Sequence, residues 1–178
     1  MNLNDYKPGH IRTFTGKTID ILNIKENDIC IEDIAHSLSM QCRFQGHTNI
    51  HYSVALHSLY VSDYIDMLCT LCKSKMRKFN YKQIILTGLL HDASEAYIID
   101  LPSPIKTLMP QYKKIENNIM KVISKKYDII YPLPYPVKFA DKKALEHEWH
   151  YVVINSLCTE YKTQDIENIF IEKFNFLR

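Results

Sequence analysis

His91-Asp92-Ala93-Ser94-Glu95 gathers three ionisable side chains in an otherwise apolar stretch, directly after Gly88-Leu89-Leu90. On a helix, His91 and Glu95 stand four apart and Asp92 and Glu95 three apart, so all three can face one pocket. Charged groups are rarely buried unless they are paired or bound to a metal. On the core side of a helix, this cluster implies either a metal or a network of ion pairs. His57, in Val54-Ala55-Leu56-His57-Ser58-Leu59, and Asp141, in Val137-Lys138-Phe139-Ala140-Asp141, also interrupt apolar helical patterns. A lone histidine in such a place is more often a satisfied core residue than a ligand. Together, however, His57, His91, Asp92 and Asp141 offer two imidazoles and two carboxylates from three helices. That mixed set suits a divalent transition ion and leaves positions for water or substrate.

The elements that must carry these residues are mostly helical. Residues 10–22 are β-prone around Gly16 and suggest a short hairpin. Ile31 to Leu38 has helical spacing, with Asp28 available as a cap, and a polar connection, Ser39 to Asn49, follows it. Apolar positions from Val54 to Leu71 predict a long buried helix over 52–73. A second helix is expected over 81–98, a turn and short helix around Pro102 and Pro104, and another helix over 112–127. Pro132, Pro134 and Pro136 read as a stiff connector into a helix over 137–157, with a last helix over 164–174. The expected fold is an all-α bundle with a short N-terminal β-hairpin, formed as one domain over 1–178.

Composition narrows the function classes. The chain has 178 residues, 46% apolar and 24% charged, enough for one domain with a sizeable core. Twenty-two basic residues face twenty acidic ones, so no global positive field draws the protein to nucleic acid or to an anionic membrane. Lys73, Lys75, Arg77, Lys78 and Lys82 form the densest basic run and read as a solvated helix end. No apolar run is long enough to span a bilayer, and residues 1–12 lack the apolar stretch of a secretory signal. Five scattered cysteines, Cys30, Cys42, Cys69, Cys72 and Cys158, suggest reduced thiols in a cytoplasmic protein. Glu146-His147-Glu148-Trp149-His150 could imitate a metal site, but no third ligand completes it and it reads as a solvated helix face.

The arrangement H…HD…D resembles that of the HD-domain metal-dependent phosphohydrolases. The stretch from His91 through Asp100-Leu101-Pro102-Ser103-Pro104-Ile105-Lys106 is similar to the HDASE…DLPxPxK segment of their bacterial 5′-deoxynucleotidase branch. His57-Ser58-Leu59 and Val137-Lys138-Phe139-Ala140-Asp141 match that branch's HSL and VKxAD segments. The resemblance covers roughly residues 40–150 and implies an HD-domain helical bundle. It implies His57, His91, Asp92 and Asp141 as metal ligands and Glu95 as the catalytic carboxylate. Asp100 matches an acidic position near the nucleotide, and is otherwise a cap for the turn before Pro102. Arg43 falls where the family places a phosphate-gripping arginine. Phe44 departs from the tryptophan that follows that arginine in the family, so base or sugar recognition is expected to differ.

His47 and Lys106 are further candidates for phosphate contact, with a surface loop and an exposed helix-start lysine as their plainer readings. His51 reads as structural. The expected activity is hydrolysis of the 5′-phosphate of (deoxy)nucleotides by metal-activated water, with Co, Mn, Zn or a similar ion, or Mg, as cofactor. No P-loop is present, so nucleotide binding must rely on side chains. Two alternatives stand: a dATP-type deoxynucleoside triphosphate triphosphohydrolase releasing triphosphate, and a degenerate HD domain that binds nucleotide without turnover. The resemblance also implies a homo-oligomer. Neither a stable nucleic-acid partner nor a membrane is expected.

Overall fold

In the computed structural model, which describes residues 7–157 and 159–178, short antiparallel strands β1 (His10–Arg12) and β2 (Thr18–Asp20) precede a bundle of helices. The hairpin turns at Gly16, whose φ of +88° lies where glycine carries no steric penalty. Thr15 at its tip donates through N–H and Oγ to the buried Asp33 carboxylate, at 2.7 and 2.9 Å. Asp33 belongs to α1 (Ile31–Met40), so these bonds tie hairpin to bundle. Asp28 does not cap α1. It instead accepts from Lys25 N–H in a preceding 3-10 turn, and Cys30 stands at the α1 cap position.

Helix α2 (Val54–Leu71) is the axis of the bundle, starting at Ser53, whose Oγ accepts the Leu56 N–H. It packs against α1, α4 (Tyr81–Leu89), α8 (Tyr135–Glu148) and α9 (Thr163–Leu177). Short helices α3 (Lys73–Met76), α5 (Glu95–Ile98) and α6 (Ser103–Lys106) link these, and α7 (Pro110–Tyr127) closes the far side. Ile34, Leu38, Val61, Ile65, Ile84, Leu89, Ile119, Ile123 and Phe170 fill the shared core. The all-α bundle with its N-terminal hairpin is therefore as expected from the sequence.

Two expected helices differ in ways that matter for function. The helix over 81–98 breaks: α4 stops at Leu89, Leu90 to Ser94 form a turn, and α5 begins at Glu95. The helix over 137–157 keeps α geometry only to Glu148 and then widens into a π-helical turn, Trp149–Ile154. The five basic residues from Lys73 to Lys82 are exposed. Cys30, Cys42, Cys69 and Cys72 are free thiols, while Cys158 lies outside the described residues. Among the described residues no helix is long and apolar enough to cross a membrane.

Gly88 is where α4 meets α2. A Cβ there would lie 2.3 Å from Ile65 Cδ1 and 3.4 Å from Ser62 Cα. Ile65 is fully buried and has little room to move. Gly88→Ala is expected to cost about 1–3 kcal/mol through overpacking, read by chemical denaturation.

Candidate functional site

Three elements bring four donor atoms together. His57 is on the first turn of α2, His91 and Asp92 are in the turn after α4, and Asp141 is on α8. His57 Nε2 lies 3.3 Å from His91 Nε2 and 3.2 Å from Asp141 Oδ1. Asp92 Oδ2 stands 3.1 Å from His91 Nε2 and 3.7 Å from His57 Nε2, and Asp141 Oδ1 is 3.8 Å from His91 Nε2. Donors bound at about 2.0–2.2 Å to one ion sit roughly 3.0–3.5 Å from each other, so the cluster is close to that size. The ligand atoms of His57, His91 and Asp92 all lie within 4.8 Å of one another and could hold a metal ion, and Asp141 approaches that group through the two imidazoles.

The turn at 90–94 explains how the HD pair is aimed. Ending α4 leaves the Gly88 carbonyl to His91, whose Nδ1 bonds it at 2.8 Å. A carbonyl only accepts, so Nδ1 carries the proton and Nε2 turns its lone pair to the cluster. His57 is fixed in the same sense, its Nδ1 lying 2.6 Å from Glu148 Oε1. Both imidazoles and both carboxylates thus present lone pairs to one small volume. Such a set needs a cation or a shared proton between its members, and its mix of imidazole and carboxylate donors suits a divalent ion.

Electrostatics agree. Burial works against a charged His91, but Asp92 and Asp141 outweigh it and push its pKa well up. Surroundings that favour a proton there favour a metal ion in its place. Burial would raise Asp92, yet the His91 charge and hydrogen bond bring it down to about 2. In the metal-free protein Asp141 is likewise held far below the usual carboxylate range, its burial outweighed by the His57 and His91 rings when they carry the proton that an ion would replace.

Glu95 behaves oppositely. Burial first, then the negative charges of Asp92 and Asp100, push its pKa well up, and Lys106 offsets this only in part. Its Oε1 accepts from Lys106 Nζ at 3.2 Å, while Oε2 is buried and has no hydrogen-bond partner. A buried carboxylate oxygen without a partner has an unused capacity to accept a proton.

The remaining candidates divide. Arg43 is not a free side chain of a polar loop. A bridge between Cys42 and Ser53, with Arg43 N–H donating to Tyr52 O at 2.8 Å, folds the loop back onto the start of α2. Arg43 Nη2 then donates to Glu148 Oε2 at 3.0 Å, and its buried Nε has no hydrogen-bond partner. Phe44 and Gln45, beside it, hold left-handed φ values of 56° and 51°, a strained conformation of the kind that concentrates at binding sites. Asp100 is half-buried behind Ile99, another strained residue at φ 72°. Gln41 pins this segment, its Oε1 accepting Asp100 N–H and its Nε2 donating to Glu95 O. Lys106 is not an exposed helix-start lysine. It ends α6 and donates to Glu95 and, at 2.6 Å, to Glu116. His47 is exposed, its backbone N–H donating to Phe44 O, and His51 bonds Ser39 O. An indole does stand beside Phe44: Trp149 packs edge-on at 6.1 Å.

Glu148 is the main correction to the sequence reading. The 146–150 stretch was expected to be a solvated face, and Glu146, His147 and His150 are exposed, but Glu148 is fully buried. It accepts from His57, Arg43 and, at 3.1 Å, Tyr52 Oη. These partners hold its pKa below the usual value despite burial. Its place two helical turns after Asp141, on the same face of α8, was the available signal. Gln41, Tyr52 and Glu116 were missed as well, and only the tertiary structure brings them to the site. Removing Arg43 strands the Glu148 charge, so Arg43→Ala is expected to cost about 3 kcal/mol of stability, measured by denaturant titration.

A helical bundle that aims H…HD…D at a single point is the architecture of the HD-domain superfamily. The chain belongs within it to the YfbR-like 5′-deoxynucleotidase family, a family of hydrolases whose model matches residues 34–156. It is 40% identical over 131 residues to the uncharacterized protein YfdR of Escherichia coli K12, covering 74% of this chain and 65% of that one. An uncharacterized protein of Rhodobacter capsulatus is 32% identical over 136 residues, covering 75% of this chain and 65% of that one. The chain thus spans just under two thirds of the length of these relatives.

Proposed function

We propose that this protein is a metal-dependent phosphohydrolase that removes the 5′-phosphate of deoxynucleoside monophosphates. The reading is carried by one observation: His57 Nε2, His91 Nε2, Asp92 Oδ2 and Asp141 Oδ1 converge, and the Asp92 charge reaches the buried Glu95, whose Oε2 has no partner. A divalent ion held by these four donors supplies Lewis acidity, polarising a phosphate oxygen and easing deprotonation of water.

The protein's own groups supply the rest. Glu95 Oε2 accepts the proton of the attacking water as its oxygen bonds phosphorus, then returns it to the departing 5′ oxygen as that P–O bond breaks. Lys106 holds Glu95 through Oε1 and leaves Oε2 as the reacting atom. Arg43 offers its unpaired Nε to the nonbridging phosphate oxygens, a charge-assisted contact. Phe44 and Trp149 form an aromatic corner beside Arg43, a surface on which a base can stack.

A panel of ribo- and deoxyribonucleoside mono- and triphosphates, incubated with protein loaded with manganese, cobalt, zinc or magnesium, tests the reading by the product released. Inorganic phosphate from 5′-deoxynucleotides is the expected result. Triphosphate release would make the protein a triphosphohydrolase, and binding without turnover would make it a nucleotide-binding module.

A further inference from the structure

The two nitrogens of His57 are gripped by one helix. From α8, Asp141 Oδ1 approaches Nε2 at 3.2 Å and Glu148 Oε1 takes Nδ1 at 2.6 Å, while the imidazole is wholly buried. The other Glu148 oxygen is 3.0 Å from Arg43 Nη2, and Tyr52 Oη supports Oε1. Glu148 therefore stands between a residue of the donor cluster and the cation proposed to meet phosphate, and touches neither metal nor substrate itself. The helix changes from α to π immediately after it, at Trp149, and single π turns often mark functional positions.

We propose that Glu148 is a positioning residue that couples metal binding to phosphate binding. Through Oε1 it fixes the His57 ring so that Nε2 faces the donor cluster, and through Oε2 it holds the Arg43 guanidinium at the same site. Carboxylates that receive the far N–H of a metal-ligating histidine set its orientation and basicity. Here the same carboxylate has a second client, so a change on one side is felt on the other, as linkage requires of coupled sites. The inference rests on the metal and phosphate roles given above to His57 and Arg43.

Calorimetric titration of manganese into metal-free wild-type protein, Glu148→Gln and Tyr52→Phe tests it, alongside the melting temperature of each and titration with inorganic phosphate. Glu148→Gln is expected to weaken manganese binding about 10–100-fold and to weaken phosphate binding, although it contacts neither. Tyr52→Phe, which removes one hydrogen bond to Oε1, should weaken manganese about two- to tenfold. A purely structural role would lower the melting temperature and leave the affinities of the folded protein unchanged, and that result overturns the proposal. If Glu148→Gln does not fold, Tyr52→Phe decides, and wild-type manganese affinity there overturns it. Manganese affinity that depends on Glu148 in a protein hydrolysing no nucleotide would remove the proposed function and leave this inference standing. A wild-type protein that binds none of manganese, cobalt, zinc and magnesium would remove both.

Discussion

Glu95→Gln is expected to lower kcat by roughly 10²–10⁴ while the metal stays bound. The carboxylate follows Asp92 by three residues, feels its charge and is not one of the four donors. One oxygen is held by Lys106 and the other is buried without a partner. An amide keeps the shape but cannot carry a proton back and forth. The same environment predicts the pH dependence. Burial and the neighbouring Asp92 and Asp100 charges raise the pKa of Glu95, so the base form is lost as pH falls through that raised value. That titration belongs to the metal-free protein; in the loaded enzyme the rate should decline on the acid side as Glu95 is protonated, and Glu95→Gln should flatten that limb. Metal content by atomic emission, with the pH profile of kcat, separates the outcomes. Lost metal would make Glu95 a ligand, and an unchanged kcat would remove it from the chemistry.

Asp92→Ala is expected to abolish both stoichiometric metal and all hydrolysis, a larger effect than that of Glu95→Gln. Asp92 Oδ2 is close to both imidazoles, at 3.1 and 3.7 Å. Its charge is also what most favours a cation on His91. Removing it leaves two imidazole lone pairs facing each other at 3.3 Å with Asp141 alone to balance a cation. His91→Ala should behave in the same way. The measurement is metal stoichiometry of folded, gel-filtered protein after equilibration with excess ion. Full occupancy in both variants would show that the ion is held elsewhere.

The donor cluster was legible because its members break apolar patterns: His57, His91 and Asp141 interrupt runs that otherwise read as core. What failed was the local geometry. Leu86, Leu89, Leu90, Ala93 and Tyr97 are all buried, so apolar spacing runs through the break at 90–94 without a glycine or proline to mark it. That break is what frees the Gly88 carbonyl and aims His91. Glu148 was hidden differently. Its neighbours Glu146, His147 and His150 are exposed, and the change to a π turn at Trp149 shifts the phase of the helix beyond it. Arg43 lies in a loop with no periodicity at all, and its partner Glu148 is 105 residues away along the chain. Patterns in a chain report which face is apolar, while the pairing of Arg43, Glu148 and His57 depends on elements distant in sequence.

A crystal of the protein soaked in manganese, with data collected at an anomalous wavelength, locates the ion itself. One strong peak is expected at about 2.0–2.3 Å from His57 Nε2, His91 Nε2, Asp92 Oδ2 and Asp141 Oδ1, with open positions left for water and substrate. A peak held by other side chains, or no peak there at a manganese concentration that supports turnover, would contradict the four-donor site.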